Sequence, residues 1–186
     1  LIKKEKKTIF ATLLKNKKMP KHWIRIAGLK EGEHGQEFEI KDKFFQAYEY
    51  SDVKTGNFIV NTLVVIRGLD RKLTINIEGI ITNLLCDNCA RKLEWPISII
   101  SNFVIKESEK EMESTDEVIY VLENQHQLII NQLIFEMINL AIPSKRAHNK
   151  SEEGECDKEM LELMEKYATN KKQEIDPRWE GLNKLK

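Results

Sequence analysis

The chain has 186 residues, enough for one domain, or one domain with appendages, and a sizeable core, and 41% of them are hydrophobic. Its 30 Lys and Arg residues balance 30 Asp and Glu residues. The zero formal charge excludes a global electrostatic pull toward nucleic acid or membrane, so any such binding has to come from local clusters.

The first thirty residues depart from that balance. Lys3, Lys4, Lys6, Lys7, Lys15, Lys17, Lys18, Lys21, Arg25 and Lys30 face only Glu5. The apolar run Ile9 to Leu14 is too short for a secretory signal, and no small-residue cleavage site follows it. Residues 1–18 are therefore expected to be a disordered basic extension or to lie outside the native start, with Met19 opening the folded part; a basic arm for RNA phosphates is the alternative. The expected organisation is a single domain over residues 19–186.

From Trp23 to Ile40, the residues Trp23, Ile24, Ile26, Phe38 and Ile40 flank the glycine-containing stretch Gly28 to Gly35, which predicts two short extended pieces joined by a loop. The spacing of Gly28, Gly32 and Gly35 matches no phosphate-binding pattern. Lys43 to Tyr50 is a short helix or strand whose Phe44, Phe45, Tyr48 and Tyr50 serve the core rather than base stacking. Apolar residues then alternate in Lys72 to Thr82 (Leu73, Ile75, Ile77, Ile81) and in Leu93 to Ile105 (Leu93, Trp95, Ile97, Ile99, Phe103, Ile105). Period two means strands with one buried face. Asn57 to Arg67 is a third strand, and Gly68 to Lys72 turns back into the second, giving an antiparallel meander. Pro96 demands an edge position or a bulge.

Glu107 to Glu117 is acidic and aperiodic and reads as a solvated loop. Val118 to Leu122 is a short apolar strand, and residues 126–142 are expected to form a helix with Ile130, Leu133, Ile134, Met137 and Ala141 on one face, ended by Pro143. His126, near its start, reads as solvated. The apolar stretch Leu128 to Ile142 is broken by Asn131, Gln132, Glu136 and Asn139, unlike a membrane span. Asp157 caps a helix carrying Met160, Leu161, Met164 and Tyr167, while Asp176 and Pro177 open a last segment with Trp179, Leu182 and Leu185.

Three cysteines and one histidine carry the chemistry. Cys86 and Cys89 form a C-x-x-C pair at the tip of the hairpin, where Asp87 and Asn88 tolerate turn dihedrals. His148 and Cys156 follow downstream, completing a set that suits a structural zinc ion and would close its tetrahedron without an open position for a catalytic water. The alternative is three reduced thiols and an ordinary surface histidine. An odd cysteine count argues against a disulfide framework and for a reducing compartment, and a soluble intracellular protein is expected. A thioredoxin-like site would need the pair at a helix N-terminus, whereas its flanks read as strands. A zinc hydrolase or deaminase is the remote alternative: none of His22, His34, His126 and His148 opens an H-x-E motif, and Glu153 and Glu155 sit in a charged loop.

Taken together, Cys86-Asp-Asn-Cys89 after a strand, the run from Ala141 through Pro143 to His148, Cys156-Asp157 opening a helix, and Ile175-Asp-Pro-Arg-Trp179 with Leu182 and Leu185 resemble the YceD-type family. That family is described as a large-subunit ribosomal RNA accumulation protein and was long catalogued as a domain of unknown function. The resemblance runs from about Trp23 to Lys186, and His148 in place of a further cysteine resembles the branch seen in Bacteroidetes-type bacteria. It implies a factor in large ribosomal subunit biogenesis in the bacterial cytoplasm, without enzymatic activity. Its expected partner is ribosomal RNA or a precursor particle, met through Arg91, Lys92, Lys145, Arg146, Arg178 and Trp179. DNA is not an expected partner. The rival is a module that grips a ribosomal protein or assembly factor and uses Glu107 to Glu117 as a mimic of nucleic-acid charge. The fold expected overall is α+β: an antiparallel β-meander sheet or partly open barrel, packed C-terminal helices and a zinc-knuckle-like site.

Overall fold

The computed structural model describes residues 20–49, 51–148 and 156–168. The basic extension over residues 1–18, Met19, Tyr50, the polar loop with Glu153 and Glu155, and the segment with Asp176, Pro177, Arg178, Trp179, Leu182 and Leu185 lie outside them.

Among the described residues the architecture is α+β. A five-stranded open sheet has the order β2 (Gly32–Ile40), β3 (Thr55–Arg67), β4 (Asp70–Leu85), β5 (Lys92–Ser108), β6 (Val118–Leu122). A two-stranded ribbon joins β1 (Trp23–Arg25) to β7 (Gln127–Ile129). Three helices complete it: α1 (Asp42–Phe45), α2 (Asn131–Leu140) and α3 (Lys158–Tyr167).

The alternation in sequence becomes one buried face. Phe58, Val60, Val64 and Ile66 of β3, Leu73, Ile75, Ile77 and Ile81 of β4, and Leu93, Ile97, Phe103 and Ile105 of β5 share a single core cluster. Phe44 and Phe45 of α1, Ile24 and Leu128 of the ribbon, and Ile134, Met137 and Ile138 of α2 join the same cluster. At about 25 cal/mol per Å² of apolar surface removed from water, burial of this cluster is the main driving force for the fold. Phe58 stands opposite Gly79, and a Cβ at that glycine would run into the Phe58 backbone and ring, so only glycine lets β3 and β4 approach there. Tyr48 stacks on Phe135 of α2 with centroids 3.6 Å apart, and its hydroxyl donates to the Asn131 carbonyl.

β2 to β5 form the expected antiparallel meander, with Gly68 and Leu69 alone turning β3 into β4. Four expectations are corrected. β6 runs parallel to β5, because the acidic connection carries the chain back along the sheet before it re-enters. That connection begins later than expected: Glu107 still pairs with Val121, and its carboxylate meets Arg71 at 2.5 Å. β2 already starts at Gly32, within the stretch expected to be a loop, and β1 pairs with β7. Finally, the helix begins at Asn131 rather than 126, because Gln127–Ile129 is claimed by β1. Asn131 fixes this junction, accepting from the His22 amide (2.7 Å) and donating to the Pro20 carbonyl (2.8 Å).

Pro96 satisfies both of its conditions. It lies where β5 has β4 as its only partner, since β6 pairs only from Val104 onward, and β4 carries a register shift between Ile81 and Leu84 close by. Asn83, in that shift, has φ 65°. β2 forms the opposite rim of the sheet, bonded on one flank to β3.

Candidate metal centre

The β4–β5 hairpin ends in a tight knuckle. The Cys86 amide donates to the Arg91 carbonyl (2.9 Å) and the Ala90 amide to the Cys86 carbonyl (2.8 Å), which closes the loop over Asp87, Asn88 and Cys89. Ala90 takes φ 55°, the left-handed geometry such a reversal requires. Both thiols are held inward, Cys86 2% and Cys89 4% exposed.

The stretch after α2 and Pro143 then passes beside this tip. The Asp87 amide donates to the Arg146 carbonyl (2.6 Å), and the Arg146 amide returns a bond to the Asp87 carboxylate (2.5 Å). The Arg146 guanidinium lies 3.5 Å from both Asp52 and Asp87. Two residues on, His148 Nε2 donates to the Lys92 carbonyl at 3.1 Å. With its proton on Nε2, the ring turns the Nδ1 lone pair toward the thiols, the second-shell arrangement that metal-binding histidines use. Asp157 caps α3 by accepting from the Glu159 amide and pairs with Arg91 at 2.5 Å, which brings Cys156 to the same point.

Cys86, Cys89, His148 and Cys156 thus converge, their donor atoms all within 4.8 Å of one another. Cys86 Sγ and Cys156 Sγ are 3.7 Å apart, and His148 Nδ1 lies 3.4 Å from Cys89 Sγ and 3.9 Å from Cys156 Sγ. Zinc–sulfur bonds of about 2.3 Å and zinc–nitrogen bonds of about 2.0–2.1 Å put tetrahedral ligands roughly 3.5–3.8 Å apart. The three cysteines are free thiols, not a disulfide.

Electrostatics prepare the set for a cation. Burial opposes ionisation of Cys86, but amide hydrogen bonds from His148, Cys89 and Asn88 outweigh it and hold the thiol down to about 6. The Asp157 amide bonded to Cys89 lowers that thiol too, against the opposing effect of burial, with help from the Arg91 amide. His148 is raised: burial works against its cationic form, but the Lys92 carbonyl and the neighbouring thiolates prevail. Burial, then hydrogen bonds with Cys86 and Cys89, and lastly their charges push the Cys156 thiol up. Sulfurs that resist sharing one space as anions are what a divalent ion between them relieves.

A family model described as the large ribosomal RNA subunit accumulation protein YceD matches residues 73–186, more than half of the chain. The chain belongs to the YceD family. The match takes in β4 from Leu73 onward, the knuckle, both later ligands and α3, so the four converging donors lie within the YceD region of the chain. No curated protein and no solved structure matches the chain.

Of the expected contact residues, Arg91 and Arg146 adjoin the ligands through Asp157 and Asp87, Lys92 gives its carbonyl to His148, Lys145 precedes Arg146 in the chain, and Arg178 and Trp179 lie outside the described residues. Two of the four cations are already engaged, Arg91 with Asp157 and Arg146 with Asp52 and Asp87. Lys92 and Lys145 are exposed. The residues that sequence reasoning missed are the supports: Asp87 as a clamp rather than a turn-former, Asp52, and the Lys92 carbonyl. Nothing in the sequence signalled the clamp, whose members come from three separate segments.

Proposed function

We propose that the protein is a non-catalytic factor in large ribosomal subunit biogenesis, built around a structural zinc ion held by Cys86, Cys89, His148 and Cys156. The observation that carries the zinc reading is the spacing of the four donors, which fits a closed tetrahedron of three thiolates and one imidazole. Four protein ligands leave no coordination site for an activated water, so this geometry favours a cross-link over a hydrolase or deaminase. The biogenesis role follows from family membership. No helix among the described residues is long and apolar enough to cross a membrane, which agrees with work in the bacterial cytoplasm.

The partner in this reading is large-subunit ribosomal RNA or a precursor particle, with Lys92 and Lys145 meeting phosphates beside the knuckle and Arg178 and Trp179 adding a cation and a stacking surface. A second reading, contact with a ribosomal protein or assembly factor, is favoured by α3, whose Met160, Leu163, Met164 and Tyr167 are exposed on a helix that buries none of its residues. Metal analysis of the purified protein should give one zinc per chain, lost in Cys86→Ser. Cells lacking the protein should hold less large-subunit than small-subunit RNA, restored by the native gene and not by Cys86→Ser. Capture of precursor particles before and after ribonuclease separates the partners: nuclease-resistant association means protein, nuclease-sensitive association means RNA. Unchanged RNA ratios in the deletion would overturn the biogenesis role.

A further inference from the structure

The chain enters the described body beside the outermost strand of the sheet. The Asn131 side chain donates to the Pro20 carbonyl (2.8 Å) and accepts from the His22 amide (2.7 Å), and the His22 ring meets Phe38 of β2 edge-on with centroids 5.6 Å apart. Residues 1–19 therefore join the body next to β2. The stretch just before His22 carries Lys15, Lys17, Lys18 and Lys21 with no acidic residue among them.

β2 offers a matching surface. It is hydrogen-bonded to β3 on one flank, and no described strand lies on the other. An open flank of this kind is the template on which an extended segment adds as a further strand. Glu33, Glu37 and Glu39 share one face of β2 by the two-residue period, and all three are exposed. Glu39 pairs with Lys41 at 2.7 Å, whereas Glu33 and Glu37 meet no cation among the described residues. An extended segment would put Lys15 and Lys17 on one face by the same period. At about 3.3 Å per extended residue, Lys15 reaches about 23 Å from His22, more than the distance along β2 from Phe38 back to Glu33.

We propose that the open flank of β2 is the docking site of the chain's own basic arm, with the segment around Lys15 and Lys17 added along the strand and these lysines set against Glu33 and Glu37. Backbone bonds supply the attachment, and the ion pairs select the occupant. Exposed ion pairs are weak one at a time and fade with salt, which makes the attachment reversible. While seated, the two lysines are withheld from phosphates, because the carboxylates that hold them repel a polyanion.

The experiment keeps the full chain and reverses charges: Lys15→Glu with Lys17→Glu in the arm, Glu33→Lys with Glu37→Lys on the strand, and all four together. Amide hydrogen exchange is followed at low salt, beside zero-length carbodiimide coupling of carboxylates to amines in an equal mixture of isotope-labelled and unlabelled wild type. In the wild type Lys15 or Lys17 should be joined to Glu33 or Glu37 within one chain, and β2 amides should exchange about 3- to 10-fold more slowly than in either double variant. The combined variant, with the charges exchanged, should recover the wild-type protection of β2, a rescue that a merely misfolded double variant would not show. Protection of β4 and β5 should be the same in all four proteins. Equal β2 exchange in wild type and both double variants would overturn the proposal. Coupling found only between labelled and unlabelled chains would overturn it in favour of a second copy on the edge. Lys15 and Lys17 that oligouridylate shields from acetylation, and the body alone does not, would overturn it in favour of RNA phosphates.

Discussion

The central hairpins and α3 are both amphipathic, yet they are held by different physics. β3, β4 and β5 bury one face in a cluster whose Phe58, Ile75, Ile77 and Ile81 are fully enclosed, whereas α3 leaves Met160, Leu163, Met164 and Tyr167 in solvent and is preceded by the Asp157–Arg91 pair beside the four candidate ligands. Burial spreads stability over dozens of contacts, each replaceable in part. A coordination centre of the kind proposed for the four ligands would concentrate it in four bonds, so that position could be gained or lost in one step.

The largest break in that contrast should come from the core. Phe58→Ala should cost about 3–5 kcal/mol, read as a lower urea midpoint, because the ring is fully buried against Gly79 and Phe45 and the strands cannot close over the void. Its metal content in buffer should stay at the wild-type level. Chelation is the reverse manipulation: hydrogen exchange should show α3 amides losing their protection while β3 and β4 keep theirs, and a sheet that melts together with α3 would mean that the two regions are not separable. Arg91→Ala should lower stability by no more than about 1 kcal/mol and leave metal stoichiometry intact, since its partner Asp157 is reached from an exposed side chain.

The smallest effect concerns protons at the ribbon. Burial between Phe38 and Phe44 depresses the pKa of His22, more than its bond with Asn131 raises it. The unfolded chain takes up this proton at the ordinary value of 6.5 while the folded chain resists it, so the unfolded state binds more protons below that pH. Stability should therefore hold above about pH 6.5 and decline as pH falls toward the depressed folded value. Denaturant titrations across that window should show a shallower decline for His22→Phe than for wild type, both with metal bound.

Legibility in the sequence followed the same division. The three long strands, their buried odd or even faces and the position of Pro96 could be read because period two is a local signal sustained over many residues. β7 could not, since Leu128 and Ile130 also fit the helical spacing that continues through Ile134 and Met137, and only the distant β1 decides for a strand. The direction of β6 was equally hidden: five apolar residues announce a strand without saying which way it runs. At the metal centre the ligand types were visible, because cysteine and histidine carry their chemistry in their names. The clamp was not, because Asp52, Asp87 and Arg146 come from three segments whose meeting no spacing encodes.

The rim strand β2 carries one last consequence. Its sequence, Gly-Glu-His-Gly-Gln-Glu-Phe-Glu-Ile, lines the open border of the sheet with exposed Glu33, Glu37 and Glu39. A second molecule approaching to add itself as a sixth strand would bring carboxylates against carboxylates and find glycines where it needs apolar grip. Replacing Glu33, Glu37 and Glu39 by apolar residues is thus the change under which the protein should begin to stack on itself.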